Sequence, residues 1–167
     1  MFSYISFTNV DFKNINFSSL KSVQHTFSGS IFFNLNMENV DAPNIESLDN
    51  MFNYAAKNAS FKNINFSNAI SMKNFLPNEI HNISFINVNI SKVKSLEETF
   101  ANGNLNNLML ENVDISSVTS MKNMIYAGGG TSLYKSEIII KNINASNLLD
   151  LDHIFKYVYY KNITILL

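Results

Sequence analysis

Three histidines, two equivalently placed aspartates and a triple glycine are the groups in this chain that invite a chemical reading. His25, His81 and His153 would be metal ligands or general bases if they converged. They stand far apart in the chain, with no His-x-x-x-His spacing, and there is no cysteine. Without cysteine there is no thiolate ligand, disulfide or thiol nucleophile. Asp41 and Asp114 could form the carboxylate pair of a glycoside hydrolase, which needs a separation of ~5–9.5 Å. The periodicity described below sets them three strands apart, roughly 14 Å at the usual strand spacing. Gly128, Gly129 and Gly130 lack the following Lys-Ser/Thr of a phosphate loop, and no G-x-G-x-x-G spacing is present. The expectation is a chain that is not an enzyme and has no cofactor and no metal site.

The bulk composition bounds the partners. The 167 residues carry a formal net charge of −1, from 12 Lys and 13 Asp plus Glu. No basic excess exists to neutralise phosphates, so nucleic acid is not an expected partner. No apolar run approaches the ~18 residues of a membrane span. The segment from Met1 to Val10 has no basic region and no unbroken apolar stretch, so it does not read as a secretory signal. The chain also holds 28 Asn and 20 Ser, with no Arg. Asn is poor in helix interiors and ordinary strands, because its amide competes for backbone hydrogen bonds. So much Asn demands many turns or a repeated structural use.

The elements that must position these groups come from an internal repeat. Apolar anchors recur at Phe12, Met37, Phe61, Phe85, Leu110, Ile140 and Ile165, spaced 25, 24, 24, 25, 30 and 25 residues apart. The longer interval contains the triple glycine. Two residues after each of the first six anchors stands Asn: Asn14, Asn39, Asn63, Asn87, Asn112 and Asn142. The positions 3, 5, 8, 11 and 15 residues after those anchors are apolar without exception. Such a unit cannot bury its apolar face alone, but stacked copies share a continuous core.

Within a unit, apolar residues at the anchor and two before it read as a strand, and the pair at +3 and +5 as a second extended segment. Ser or Asp follows at +10, as in Ser47 and Ser95, with apolar residues then at helical spacing. This predicts an N-capped short helix in every coil. The fold class expected is therefore α/β: a right-handed, leucine-rich-repeat-like solenoid of about six coils of ~25 residues. A parallel sheet forms one side and short helices the other. Residues 1–167 make one domain, with a partial coil at Ile165. The repeated Asn is expected to form a structural ladder that satisfies inward backbone groups at each bend.

The segment Leu108-Met-Leu-Glu-Asn-Val-Asp-Ile-Ser-Ser-Val-Thr-Ser-Met-Lys-Asn-Met124 resembles the BspA-like leucine-rich repeats, including the version found in mycoplasma lipoproteins. Leu35 to Asp41 and Ser47 to Phe52 match as well, and the likeness runs from about Phe7 to Leu167. The resemblance implies a cell-surface protein that adheres to host or matrix components. It carries no catalytic residues. The family's usual Gly-Cys after Met-Phe is absent here.

Candidate contacts fall in three places. The outward residues of the sheet pair opposite charges at Lys13, Glu38 and Lys62 and at Glu111 and Lys141, while Ile86, Met109 and Ile139 form an apolar stripe. An exposed apolar patch marks an interface, so Ile86, Met109, Glu111, Ile139 and Lys141 are the expected partner-binding face. Tyr126 and Tyr134 flank the glycine insertion as a loop contact. Ile163, Ile165 and Leu167 lie on the last strand, where end-to-end stacking would occur. The function expected is a non-catalytic, protein-binding, adhesion-type module. The alternative is a structural subunit that forms a homo-oligomer through that strand.

Overall fold

The computed structural model describes residues 4–52, 56–76, 80–100, 105–126, 137–156 and 161–166, with 126, 155 and 156 described through the backbone alone. Nine strands occur among them: β1 (Ser6–Asn16), β2 (Ile31–Asp41), β3 (Ala56–Asn65), β4 (Asn82–Asn89), β5 (Asn107–Glu111), β6 (Ile125–Tyr126), β7 (Glu137–Lys141), β8 (Phe155–Lys156) and β9 (Asn162–Leu166). Seven form one sheet in the order β1-β2-β3-β4-β5-β7-β9, and β6 pairs with β8. Every pairing is parallel.

The anchors set the register. Phe12, Met37, Phe61, Phe85, Leu110, Ile140 and Ile165 are successive partners across the sheet. Stacking identical positions places like side chains over one another, and aromatic rings exploit this. Phe61 and Phe85 stack with centroids 4.8 Å apart, and Phe27 and Phe52 stack at 5.2 Å. Phe32, Phe52, Phe61, Phe66, Phe75 and Phe85 are fully buried. Each such ring contributes roughly 1.5–3 kcal/mol by leaving water. The second extended segment is present: Ile15, Val40, Ile64 and Val88 pair in register, and Asn89, Asp114 and Asn144 are joined by isolated bridges.

The expected helices are absent: the described residues contain strands and turns, and the fold is a parallel β-solenoid rather than an α/β protein. The serines at +10 do not cap helices. Ser47 bridges to Ser71, and Ser95 to Ser120, as neighbouring extended residues. Their hydroxyls accept hydrogen bonds two residues on, from the N–H groups of Asp49, Glu97 and Lys122, closing small turns. Three residues past that position the backbone turns left-handed in each coil: His25, Asn50, Asn74, Glu98, Asn123 and His153 have φ between 50° and 55°. An α-helix cannot pass through such a residue.

The spacing counts six coils, whereas the solenoid winds about five turns. Toward both ends of the described solenoid the core columns open, with Leu20 39%, Leu151 54% and Ile165 51% exposed. In the middle coils the same columns are closed, as at Leu48, Met72, Phe61 and Phe85.

Candidate binding face

The outer surface of the sheet is organised by rows that run across the strands. Asn9, Asn34, Asn58, Asn82 and Asn107, three residues before the anchors, form one edge. Each amide Nδ2 donates to the Oδ1 of the preceding rung, at 2.8, 2.9, 2.6 and 2.6 Å in chain order. Glu137 takes the next rung on β7, in register with Asn107. Along the other edge Asn39, Asn63, Asn87 and Asn112 donate to Asn14, Asn39, Asn63 and Asn87 at 2.8–2.9 Å. All of these second-edge residues have φ of 52–55°.

The Asn column after the anchors is therefore a ladder, but its use differs from the expected one. Among the described residues the side chains bond to one another at exposed positions, not to inward backbone groups. Asn is suited to these corners because its short polar side chain tolerates the left-handed region. The first ladder was legible too, as a column of Asn three before the anchors, but sequence reasoning did not use it. The Asn or Asp at +4 and Ser at +6 also gain a reason. Asn16, Asn65, Asn89, Asp114 and Asn144 each accept the N–H two residues on, which turns the chain out of the sheet.

Between the ladders lie two further rows. In one, Asn36, Ser60, Ser84, Met109, Ile139 and Thr164 are successive partners. Ser84 donates to the Ser60 hydroxyl at 3.1 Å, and Asn36 donates to Asp11 at 3.0 Å. In the other, Lys13, Glu38, Lys62, Ile86, Glu111, Lys141 and Leu166 follow one another. Lys62 meets Glu38 at 3.0 Å and Lys141 meets Glu111 at 3.1 Å. Lys13, although in register with Glu38, lies 3.7 Å from Asp11.

The five residues of the expected contact face are thus gathered on β4, β5 and β7. Met109 sits beside Ile139, Ile86 beside Glu111, and Glu111 beside Lys141, all half-buried. Met109 and Ile139 line the end of a groove of about 400 Å³ that crosses β2, β3, β4, β5 and β7. The first Asn ladder forms its wall, and Ser60 and Ser84 its narrowest side chains. The small serines in this row were the available sequence signal for it.

Other expected sites fare differently. Ile163 and Ile165 are 48% and 51% exposed on β9, an edge strand among the described residues, and Leu167 lies outside the described residues. Tyr126 is in β6, its side chain outside the description, and Tyr134 with the triple glycine also lies outside it. His25 and His153 occupy left-handed corners, and His153 Nδ1 lies 2.5 Å from Asp152. Asp41 and Asp114 are three rungs apart, with Asn65 and Asn89 between them. Among the described residues no group of three or more His, Asp or Glu side chains is placed to hold a metal ion. Sequence reasoning missed the outward pair Ile31 and Phe33, 59% and 53% exposed on β2. It also missed a cavity of about 380 Å³ at the first coil, lined by Phe12, Phe17, Leu20, Met37 and Met51 among others. No helix among the described residues is long and apolar enough to cross a membrane.

A family model described as "Mycoplasma protein of unknown function, DUF285" matches residues 1–84 and 75–165. No curated protein and no solved structure matches.

Proposed function

The chain belongs to the Mycoplasma family DUF285, a family of unknown function, and on its own surface chemistry we propose that it is a non-catalytic, protein-binding module of the adhesion type. The coils wind right-handed in this reading, the hand that parallel crossovers adopt. The partner lies across the outer face of the sheet on β4, β5 and β7. The observation that carries this is the pairing of Met109 with Ile139, half-buried outward side chains at the end of a groove whose wall is a row of Asn amides. Apolar side chains in a groove rimmed by polar groups mark a contact site, and charge pairs such as Glu111–Lys141 fix orientation more than affinity. The BspA-like resemblance points the same way, toward a surface protein that touches host or matrix proteins.

The test is binding of the immobilised chain to a panel of purified extracellular-matrix proteins by biolayer interferometry. Met109→Lys and Ile139→Lys should each abolish a saturable interaction while leaving the circular dichroism spectrum intact. Saturable binding that survives both substitutions would place the contact elsewhere.

A second reading has its own observation: Ile163 and Ile165 are exposed on the edge strand β9. An uncovered edge is a template for another chain. In this reading the protein assembles end to end, and light scattering finds mass rising with concentration. Ile165→Lys then returns the species to 18.9 kDa. A concentration-independent mass of that value for the unsubstituted chain removes this reading.

A further inference from the structure

The groove continues beyond the Met109–Ile139 contact, and its remaining length has a different chemistry. Over β2, β3 and β4 its polar side chains are amides and hydroxyls, Asn34, Asn58 and Asn82 on the wall and Asn36, Ser60 and Ser84 beside them, with Leu35, Ala59 and Ile83 completing the lining. We propose that this stretch binds a neutral glycan chain lying along the solenoid axis, with its sugar rings extending toward Met109 and Ile139. The proposal goes beyond the protein contact of the preceding section, because it assigns a second ligand class to a neighbouring part of the same face.

Three observations favour a glycan over the other polymers. The first is charge. The charged side chains of the adjoining row pair with one another, Lys62 with Glu38 and Lys141 with Glu111. The stretch therefore offers no excess of either sign, and a polyanion gains little there. The second is direction. The groove runs across the strands, whose N–H and C=O groups are engaged in parallel pairing. A peptide can add backbone bonds only at a sheet edge. Lying across the strands, an extended peptide advances ~3.3 Å per residue against a rung spacing of ~4.8 Å, and falls out of step at once. A pyranose ring in an extended chain is close to one rung in length, so successive sugars meet equivalent groups.

The third is hydrogen-bonding capacity. An amide nitrogen carries two hydrogens and its oxygen two lone pairs. Along the ladder Asn34, Asn82 and Asn107 each use one hydrogen on the preceding rung. Asn58 uses its hydrogens on Asn34 and on the Phe33 carbonyl. The ladder thus holds its amides in fixed orientation; beyond these bonds Asn34, Asn82 and Asn107 each keep an amide hydrogen, and every rung keeps acceptor capacity on its oxygen. Vicinal hydroxyl groups, each both donor and acceptor, match this. The C–H faces of sugar rings match Met109 and Ile139.

The experiment titrates the ¹⁵N-labelled chain with cellohexaose, chitohexaose and maltohexaose, following Asn side-chain amide resonances by NMR. The expected result is that at least one of them shifts the amides of Asn34, Asn58, Asn82 and Asn107 while those of Asn44 and Asn147 stay still. Ser84→Phe, which fills the trough from an outward position, should then weaken binding roughly tenfold or more. Ser19→Phe, exposed on another wall, should not. The proposal is overturned if none of the three sugars moves these amides at millimolar concentration. It is equally overturned if Ser84→Phe, still folded by circular dichroism, binds as the unsubstituted chain does. Loss of the glycan result with a Met109-dependent protein interaction intact sinks this inference alone. Loss of both sinks the sheet face as the binding surface.

Discussion

Asn87 donates its Nδ2 hydrogen to Oδ1 of Asn63 across 2.8 Å, while its own backbone stands at φ 55°. One residue type thus serves two needs at the corner, a tolerated left-handed turn and a hydrogen bond to the preceding coil. The two can be separated. Asn87→Gly keeps the turn and loses the rung; Asn87→Ala loses both. Urea denaturation should show Ala destabilising by ~1–3 kcal/mol, with Gly costing less than Ala. Equal losses for the two would mean that the left-handed backbone contributes nothing.

Glu98 stands in the second left-handed column, at φ 54°, where Asn50, Asn74 and Asn123 occupy the equivalent corners. Its side chain is exposed. Glu98→Asn should therefore stabilise the fold by ~0.5–1 kcal/mol through relief of backbone strain. The midpoint of thermal unfolding reads this directly, and an unchanged or lowered midpoint contradicts the account.

Thr99 is fully buried, and its hydroxyl oxygen has no hydrogen-bond partner among the described residues. The equivalent Thr26 donates to the Val23 carbonyl at 2.7 Å. A buried hydroxyl without a partner costs ~1–3 kcal/mol, and valine has nearly the same shape. Thr99→Val should raise stability by ~1 kcal/mol, whereas Thr26→Val should lower it. The opposite order in chemical denaturation would show that Thr99 is satisfied.

Glu111 and Lys141 lie 3.1 Å apart with a quarter to a third of their side chains exposed. Such a cross-strand pair is worth ~0.2–1 kcal/mol and is screened by salt. A double-mutant cycle with Glu111→Gln and Lys141→Met should give a coupling in that range at low ionic strength. The coupling should shrink in ~1 M NaCl, where the Debye length falls to ~3 Å. A coupling that salt leaves unchanged would mean that the pair is not an exposed ion pair.

The columns of the repeat were legible because stacking makes each position answer to the same neighbours in every coil. That is why the anchors from Phe12 to Ile165 fall in register. The Asn after each anchor announced a ladder, and Met109, Ile139, Glu111 and Lys141 could be placed on one outward face. The helices were misread for a specific reason. Ser47, Leu48, Met51 and Phe52 have the spacing of a capped helix, and local pattern alone does not distinguish that from a bent extended segment. The difference is made by hydrogen bonds between coils. Leu48 donates to the Ser71 carbonyl, Asn50 to Lys73 and Phe52 to Phe75, so this segment's backbone bonds to the next coil instead of to itself.

The repeat period, the apolar columns, the near-neutral charge and the outward residues of each strand follow from the order of residues alone, because side-chain alternation and burial are local consequences of an extended chain. What the packing of coils decided is the partner of each backbone group, the direction of each Asn amide and the depth of the groove over Ser60 and Ser84. Those depend on residues 24 or 25 positions away. A hydrogen bond of that separation exists only once the neighbouring coil is in place.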